Sequence, residues 1–226
     1  MIGIITAMEK EMEALHIENA STEKIGHITF TKGTVAGKEV VAAVSGIGKV
    51  FAAMCAEAMI LTYAPALVIH CGVAGSLSEK LGVLDLAIAT GAVQYDMDTT
   101  PLGDPLGLIS GPNIIELPCD EKYSEILYSA ATELGIHAEK GLIATADKFC
   151  ASKEDKAHIL SHFPAIACEM EGGSVAQVCY ANGVPFCLFR AISDSADGEA
   201  PMSYESFTVK ASENAGKLMT AFLKKL

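Results

Sequence analysis

The amino-acid sequence predicts a single α/β domain, in which short strands alternate with helices along the whole chain. The chain has 226 residues, a length that fits one domain and can bury a core without disulfides or metals. Half of the residues are hydrophobic and 19% are charged, which excludes a disordered chain. No internal repeat, low-complexity tract or linker divides the sequence. We therefore expect one domain spanning residues 1–226.

Short apolar runs rich in isoleucine, valine and threonine predict the strands, because these residues pack well on a pleated surface. The predicted strands are Ile2–Thr6, Ile25–Thr34, Glu39–Val44, Ala66–Cys71, Leu84–Val93, Lys140–Ala146, Ala165–Cys168 and Phe186–Ile192. The second and third of these are joined near Gly37, where a glycine favours a tight turn.

Amphipathic or alanine-rich stretches between the strands predict helices. These helices are Met8–His16, Lys49–Thr62, Glu121–Leu134, Lys153–Ser161, Gly172–Ala181 and Ser203–Lys224. Residues 96–118 contain many prolines and glycines and predict one long irregular segment. Loops of that length in compact domains are usually functional.

The charge and cysteine content exclude several classes of protein. With 28 acidic and 16 basic residues, the formal net charge of −12 repels nucleic-acid phosphates and anionic lipid surfaces. No run of about 18 uncharged apolar residues offers a membrane span, and the charges at residues 9–11 come too early for a secretory signal. The seven cysteines form no C-x-x-C pair, so neither a disulfide framework nor a zinc site is indicated. We expect a cytoplasmic protein that binds neither nucleic acid nor membrane.

Several short motifs fail the tests for cofactor or metal binding. Ser45–Val50 lacks the first glycine and the final Ser or Thr of a nucleotide phosphate loop, and Cys71–Ser76 does not fit the dinucleotide pattern G-x-G-x-x-G. His158 and His162 have a metal-compatible spacing but no glutamate of a metalloprotease between them. We assign no cofactor and no metal.

Polar and acidic residues cluster where the predicted strands end. These clusters are Thr6–Glu11, Cys71–Ser76, Asp147–Cys150, Glu169–Glu171 and Ser193–Asp194. Ligands of open α/β sheets lie outside the carboxyl ends of strands, so these clusters predict one crevice. Carboxylates there are natural acceptors for the paired hydroxyls of a ribose. Two structural alternatives remain open: a solvated helix start at Glu169–Glu171, and an ion pair between Arg190 and Asp194.

Five segments together, in order and over nearly the whole chain, resemble the 5'-methylthioadenosine/S-adenosylhomocysteine nucleosidases of the nucleoside phosphorylase superfamily. They are Gly3–Glu11, Ser45–Lys49, Cys71–Gly75, Cys168–Glu171 and Arg190–Asp194. Each segment alone is weakly specific, whereas the joint pattern is specific. The resemblance implies a central mixed β-sheet flanked by helices, a nucleoside substrate, and a homodimer whose partner closes the 5' side of the pocket.

The resemblance also implies a role for each site residue. Asp194 would be the general acid at N7 of adenine, and Glu11 would deprotonate the attacking water. Glu171 would hold the ribose hydroxyls, and Arg190 would arrange the water and its acidic neighbours. The remaining predicted substrate contacts are Val73, Phe149, Cys150, Glu169, Met170 and Ser193. Of these, Phe149 would stack on adenine, the backbone of Cys150 would read its Watson–Crick edge, and Met170 would pack on the sugar.

Scarcity of arginine favours hydrolysis over phosphorolysis. The resemblance implies that phosphorylases of this superfamily grip phosphate with several arginines, whereas Arg190 is the only arginine here. An acidic Glu11 beside the nucleophile would repel phosphate and suits water. Val73 stands where the family commonly has a serine or threonine near that water. Alternatives therefore stay open: a futalosine hydrolase, a phosphorylase acting on another base, or an idle nucleoside-binding protein.

Overall fold

A ten-stranded mixed sheet forms the centre of the molecule. The computed structural model describes residues 1–226 except for the side chain at position 201. The strands are β1 Ile2–Thr6, β2 Glu18–Ile25, β3 Ile28–Val35, β4 Lys38–Val44, β5 Val68–Ser76, β6 Leu86–Gln94, β7 Leu117–Pro118, β8 Ala138–Thr145, β9 Ala165–Glu169 and β10 Phe186–Asp194. Their order is β10-β6-β8-β9-β5-β1-β4-β3-β2, with β7 on β6. Because β10 also pairs with β5, the strands β5, β9, β8, β6 and β10 close into a ring.

Helices cover the sheet in two apolar layers. They are α1 Glu9–Glu13, α2 Lys49–Tyr63, α3 Glu121–Glu133, α4 Lys153–His162, α5 Gly172–Asn182 and α6 Ala200–Lys225. Side chains of α2 and α5 pack in one buried cluster, and those of α3 and α6 pack in a second. The predicted α/β class, with a mixed sheet flanked by helices, is confirmed.

The polar strand ends meet through a short antiparallel junction. Strands β1, β5 and β10 run parallel to one another, whereas β9 runs antiparallel to β5. β5 and β9 pair only near their carboxyl ends, where Gly75 lies opposite Cys168 and Ser76 opposite Ala167. This overlap brings the end of β9 to the ends of β5 and β10, so the crevice does not depend on a purely parallel sheet.

The structure corrects three details of the predicted elements. Strand β2 is missing from the prediction because its residues are almost all exposed and show no apolar alternation. The strand predicted to end at Cys71 continues to Ser76 as β5, because the residues up to Gly75 pair with β10. The segment 96–118 is not wholly irregular, since it contains a 3₁₀ turn at Thr100–Leu102 and strand β7.

None of the helices in the described part of the chain has both the length and the apolar character needed to cross a bilayer.

Candidate active site

A cavity of about 320 Å³ lies where β1, β5, β9 and β10 end. Every predicted site residue except Arg190 lines it: Glu11, Val73, Phe149, Cys150, Glu169, Met170, Glu171, Ser193 and Asp194. Arg190 lies behind the cavity wall with 1% of its surface exposed. The structure thus brings residues from distant parts of the sequence to one place.

Glu11 is held by backbone donors at the end of β1. Its Oε2 accepts hydrogen bonds from the N–H groups of Ala7 and Met8, both at 2.9 Å, and its Oε1 accepts one from Val73 N–H at 3.0 Å. Burial raises the pKa of Glu11, while nearby Arg190 and these N–H groups act in the opposite direction. Val73 contributes a backbone donor as well as an apolar wall. The donors fix the orientation of a carboxyl group that faces the cavity.

Arg190 and Glu169 form a buried ion pair beneath the cavity floor. Glu169 also accepts hydrogen bonds from Glu171 N–H at 3.0 Å, from Gly172 N–H at 2.7 Å and from the Thr145 hydroxyl. These donors occupy most of the hydrogen-bond acceptor sites of the Glu169 carboxylate. Glu169 therefore stabilises the fold at least as much as it contributes to the cavity wall. The contact answers one open alternative, because the ion-pair partner of Arg190 is Glu169 and not Asp194.

Glu171 is a buried carboxyl group beside Arg190 at the start of α5. It is 6% exposed, and its Oε2 lies 4.0 Å from Nη2 of Arg190. Burial, followed by the charge of Glu169, raises the pKa of Glu171 to about 7, against the lowering effect of Arg190. Its Oε1 accepts a hydrogen bond of 2.8 Å from Gly48 N–H. Gly48 has φ of +96°, a backbone conformation that favours glycine. Glu171 thus stands at the start of α5, as the alternative interpretation expected, but it is buried and not solvated.

Asp194 lies across the cavity without a basic partner. Its Oδ2 accepts the Ser193 hydroxyl at 2.8 Å and its Oδ1 accepts Ala196 N–H at 2.9 Å. Burial raises the pKa of Asp194, and no lysine or arginine of the described residues forms an ion pair with it. A carboxyl group in such a place favours its protonated form.

The cavity mouth is aromatic and apolar. Phe149 is 42% exposed and packs edge-to-face on Tyr204 of α6, with ring centroids 5.6 Å apart. The Tyr204 hydroxyl lies 3.1 Å from Met8 Sδ, and Ile47 lines the same opening. Sequence reasoning assigned no role to Met8, Ile47 or Tyr204. Met8 and Ile47 lie inside the segments Gly3–Glu11 and Ser45–Lys49, which carry the family resemblance. No local sequence pattern distinguishes Tyr204 from the other residues of the long amphipathic helix α6.

The predicted histidine pair stands apart from this cavity. His158 and His162 contact each other on α4, with ring centroids 4.8 Å apart. Within the described residues, no group of three or more His, Cys, Asp or Glu side chains is arranged to hold a metal.

The chemistry available to the cavity is acid–base. A carboxyl group that favours its proton faces carboxyl groups that are oriented by N–H donors and one arginine. Such a pair, on opposite sides of a glycosidic bond, protonates a leaving group and activates water.

Comparisons with known proteins identify the family of the chain. The sequence profile of the family described as "Phosphorylase superfamily" matches residues 1–224. A 5'-methylthioadenosine/S-adenosylhomocysteine nucleosidase of Shewanella halifaxensis is 37% identical over 229 residues, covering 100% of this chain and 99% of the relative. An aminodeoxyfutalosine nucleosidase of Helicobacter pylori is 39% identical over 228 residues, covering 100% and 98%. The crystal structure of the 5'-methylthioadenosine/S-adenosylhomocysteine nucleosidase of Neisseria meningitidis with methylthio-immucillin-A superposes with a TM-score of 0.96 at 37% identity, covering 100% and 99%.

Proposed function

The chain belongs to the phosphorylase superfamily and is an N-glycosyl hydrolase of the nucleosidase type, and from this premise we propose the reaction it catalyses. The enzyme hydrolyses the N-ribosidic bond of 5'-methylthioadenosine and S-adenosylhomocysteine, and also of 5'-deoxyadenosine, releasing adenine. The observation that supports this most is the meeting of Glu11, Glu171 and Asp194 in one cavity.

Asp194 is the general acid in this proposal. Cleaving an N-ribosidic bond places negative charge on the departing base, and a proton donated to N7 of adenine lets the base leave neutral. The support is its buried site without a basic partner, which raises the pKa of its carboxyl group. The Ser193 hydroxyl and Ala196 N–H bond to both carboxyl oxygens and orient the group.

Glu11 activates water on the opposite side of the sugar. Its two oxygens are held by N–H donors of Ala7, Met8 and Val73, so the carboxylate does not need to reorganise before it takes a proton. Val73 itself offers no side-chain hydroxyl to the water. The water therefore depends on Glu11 more than it would beside a serine.

Glu171 accepts the ribose hydroxyls, and Met170 packs on the sugar beside it. Phe149 stacks on adenine at the cavity mouth, and the backbone of Cys150 reads the Watson–Crick edge of the base. These assignments are supported by the position of all four residues in the cavity wall. Arg190 acts from behind the wall, on the carboxylates and not on the substrate.

The nucleophile is water and not phosphate. Arg190 is the only arginine, it is 1% exposed, and its guanidinium is paired with Glu169. No arginine is thus free to bind a phosphate ion, and the charges of Glu11 and Glu171 repel one.

The direct experiment is incubation with 5'-methylthioadenosine in phosphate-free buffer. We expect free adenine and methylthioribose, at a rate that added phosphate leaves unchanged. A rate that requires phosphate and scales with it would contradict hydrolysis. Tight binding of the nucleoside without adenine release would favour the idle binding protein instead.

Aminodeoxyfutalosine is a second candidate substrate, because a relative named for it is 39% identical over the whole chain. The acid–base groups would be the same and only the 5' substituent would differ. A panel of 5'-methylthioadenosine, S-adenosylhomocysteine, 5'-deoxyadenosine and aminodeoxyfutalosine, compared by kcat/KM, separates the two assignments.

The enzyme acts as a homodimer in this proposal, because an apolar surface adjoins the cavity. Ile47, Val50, Phe51 and Met54 are each about half exposed or more, and Ile47 also lines the cavity opening. A second copy on this surface covers the apolar side chains and closes the 5' side of the cavity. We expect a dimer in light scattering, and expect Val50→Glu to give a monomer with a raised KM. A wild-type monomer with full activity would contradict the dimer.

A further inference from the structure

A buried histidine lies directly beneath the arginine of the site. His70 is fully buried in the middle of β5, and Arg190 is fully buried on the neighbouring strand β10. In the strand register Arg190 lies opposite Gly72, and His70 is two residues away, on the same face of β5. The roles proposed above do not use this histidine.

Contacts on β5 shape the space that the guanidinium occupies. At Gly72 an added Cβ would collide with Oε1 of Glu11 and lie 2.9 Å from Nη1 of Arg190, so glycine leaves room for both the carboxylate and that end of the guanidinium. At the other end, Nη2 lies 3.1 Å from Nδ1 and 3.3 Å from Nε2 of His70. Two residues of β5 therefore contact the guanidinium: Gly72 lies beside Nη1, and the ring of His70 lies beside Nη2.

The two near-equal distances show how the ring is approached. An atom in line with the lone pair of one imidazole nitrogen is clearly farther from the other nitrogen. The in-plane position between the two nitrogens is occupied by the Cε1–H bond. Nη2 therefore lies over the face of the imidazole, an arrangement that arginine adopts readily on aromatic rings.

The imidazole is neutral in this position. Burial and the adjacent charge of Arg190 lower the pKa of His70 well below its ordinary value. A neutral ring face attracts a cation, whereas a protonated ring would repel it. The same nitrogen, Nη2, thereby contacts the ring of His70 and lies close to the carboxylates of Glu169 and Glu171.

We propose that His70 is a positioning residue, whose ring face holds the guanidinium of Arg190 against Glu169 and Glu171 while the reaction proceeds. The role of His70 in catalysis rests on the function proposed above. The contact between His70 and Arg190 does not depend on that function. His70 touches no cavity-lining carboxylate and acts through Arg190 alone. Replacing it should therefore change the chemical step more than substrate binding.

A spectroscopic test follows from the presence of a single arginine. In protein labelled with ¹⁵N-arginine, all guanidinium signals belong to Arg190 and need no assignment. We expect the Hη protons near His70 to be shifted upfield by the ring current in the wild type. In His70→Leu they should move toward the values of free arginine, and in His70→Phe, which keeps a ring, they should stay upfield.

A kinetic test measures the effect on the reaction. We expect His70→Leu to lower kcat by up to about 100-fold, the effect of misplacing groups in an active site, with a much smaller change in KM. His70→Phe should restore most of kcat. Ile69→Val is the matched control, because it opens a small cavity in the same buried strand, on the face of β5 opposite to His70 and Arg190. It should lower the melting temperature and leave kcat unchanged.

Either of two results overturns the proposal: guanidinium signals of His70→Leu that coincide with those of the wild type, or an unchanged kcat in that variant. A fall in kcat for His70→Phe as large as that for His70→Leu also contradicts it. Should His70→Leu not fold, His70→Asn takes its place, since the amide has no ring current. If the wild type releases no base from any nucleoside, the proposed function fails, and the spectra still decide the contact.

Discussion

The two sides of the cavity bury carboxyl groups in opposite ways. The acid side consists of Asp194 with its neighbours Ser193 and Ala196, and the charge of Lys156 has a smaller effect on the pKa of Asp194 than burial or these two hydrogen bonds. The arginine side consists of Glu11, Glu169 and Glu171 around Arg190. Burial raises the pKa of Asp194, of Glu11 and of Glu171, but the guanidinium opposes that effect strongly on the arginine side alone.

The difference shows how one fold obtains an acid and a base from the same side-chain chemistry. Three carboxyl groups share a single cation on the arginine side, where burial and the charge of Glu169 raise the pKa of Glu171 to about 7 against the lowering effect of Arg190. On the acid side burial raises the pKa of Asp194 with no guanidinium to oppose it, which favours the proton-donor role proposed for that group. Four substitutions probe this difference between the two sides.

Glu11→Gln should remove the base of the arginine side. The amide keeps the size of the side chain but cannot take a proton from water, so we expect kcat to fall by about 10²–10⁴-fold. Adenine release under saturating substrate measures it. Binding of an adenosine analogue, followed by calorimetry, should change far less, and a variant with wild-type kcat would show that another group activates the water.

Arg190→Met should destabilise the fold, because it leaves buried carboxylates without their cation. Breaking a buried ion pair by removing one partner costs about 3–5 kcal/mol. Denaturant unfolding measures the free energy, and the control is Lys140→Met, which removes an exposed ion pair with Glu125 and should cost less than about 1 kcal/mol. Equal effects of the two substitutions would contradict the role of Arg190.

Glu171→Gln should flatten the dependence of stability on pH. The pKa of Glu171 is raised in the folded protein from its ordinary 4.5 to about 7. Between these values the folded state holds a proton that the unfolded chain has lost, so stability falls as the pH rises through this window. The melting temperature of the wild type should drop from pH 5 to pH 8 more than that of the variant. Parallel curves would contradict the raised pKa.

Tyr204→Phe should have the smallest effect. It removes only the hydroxyl beside Met8 Sδ, a contact within the protein worth about 1 kcal/mol, so KM should change by at most roughly 5-fold. The ring stays in place against Phe149. Tyr204→Ala is the comparison, since it also removes the edge-to-face contact and should raise KM further. A loss of kcat in Tyr204→Phe would give the hydroxyl a part in the reaction.

The sequence predicts the central strands and the carboxylates, because a continuous apolar run that ends in an acid is visible locally. It does not predict β2, whose exposed polar residues are held by pairing with β3 and not by burial. Nor does it predict that Arg190 pairs with Glu169 and contacts His70. Those contacts depend on the register between β5 and β10, which no local pattern encodes.

A comparison of two leaving groups tests most directly that Asp194 is the acid and Glu11 the base. The measurement is hydrolysis, by Asp194→Asn and Glu11→Gln, of 5'-methylthioadenosine and of a 4-nitrophenyl 5-methylthioriboside, whose leaving group departs without a proton. We predict that Asp194→Asn is slow on the nucleoside and close to wild type on the nitrophenyl riboside, whereas Glu11→Gln is slow on both. Equal impairment of Asp194→Asn on the two substrates, with the wild type active on both, would contradict its role as the acid.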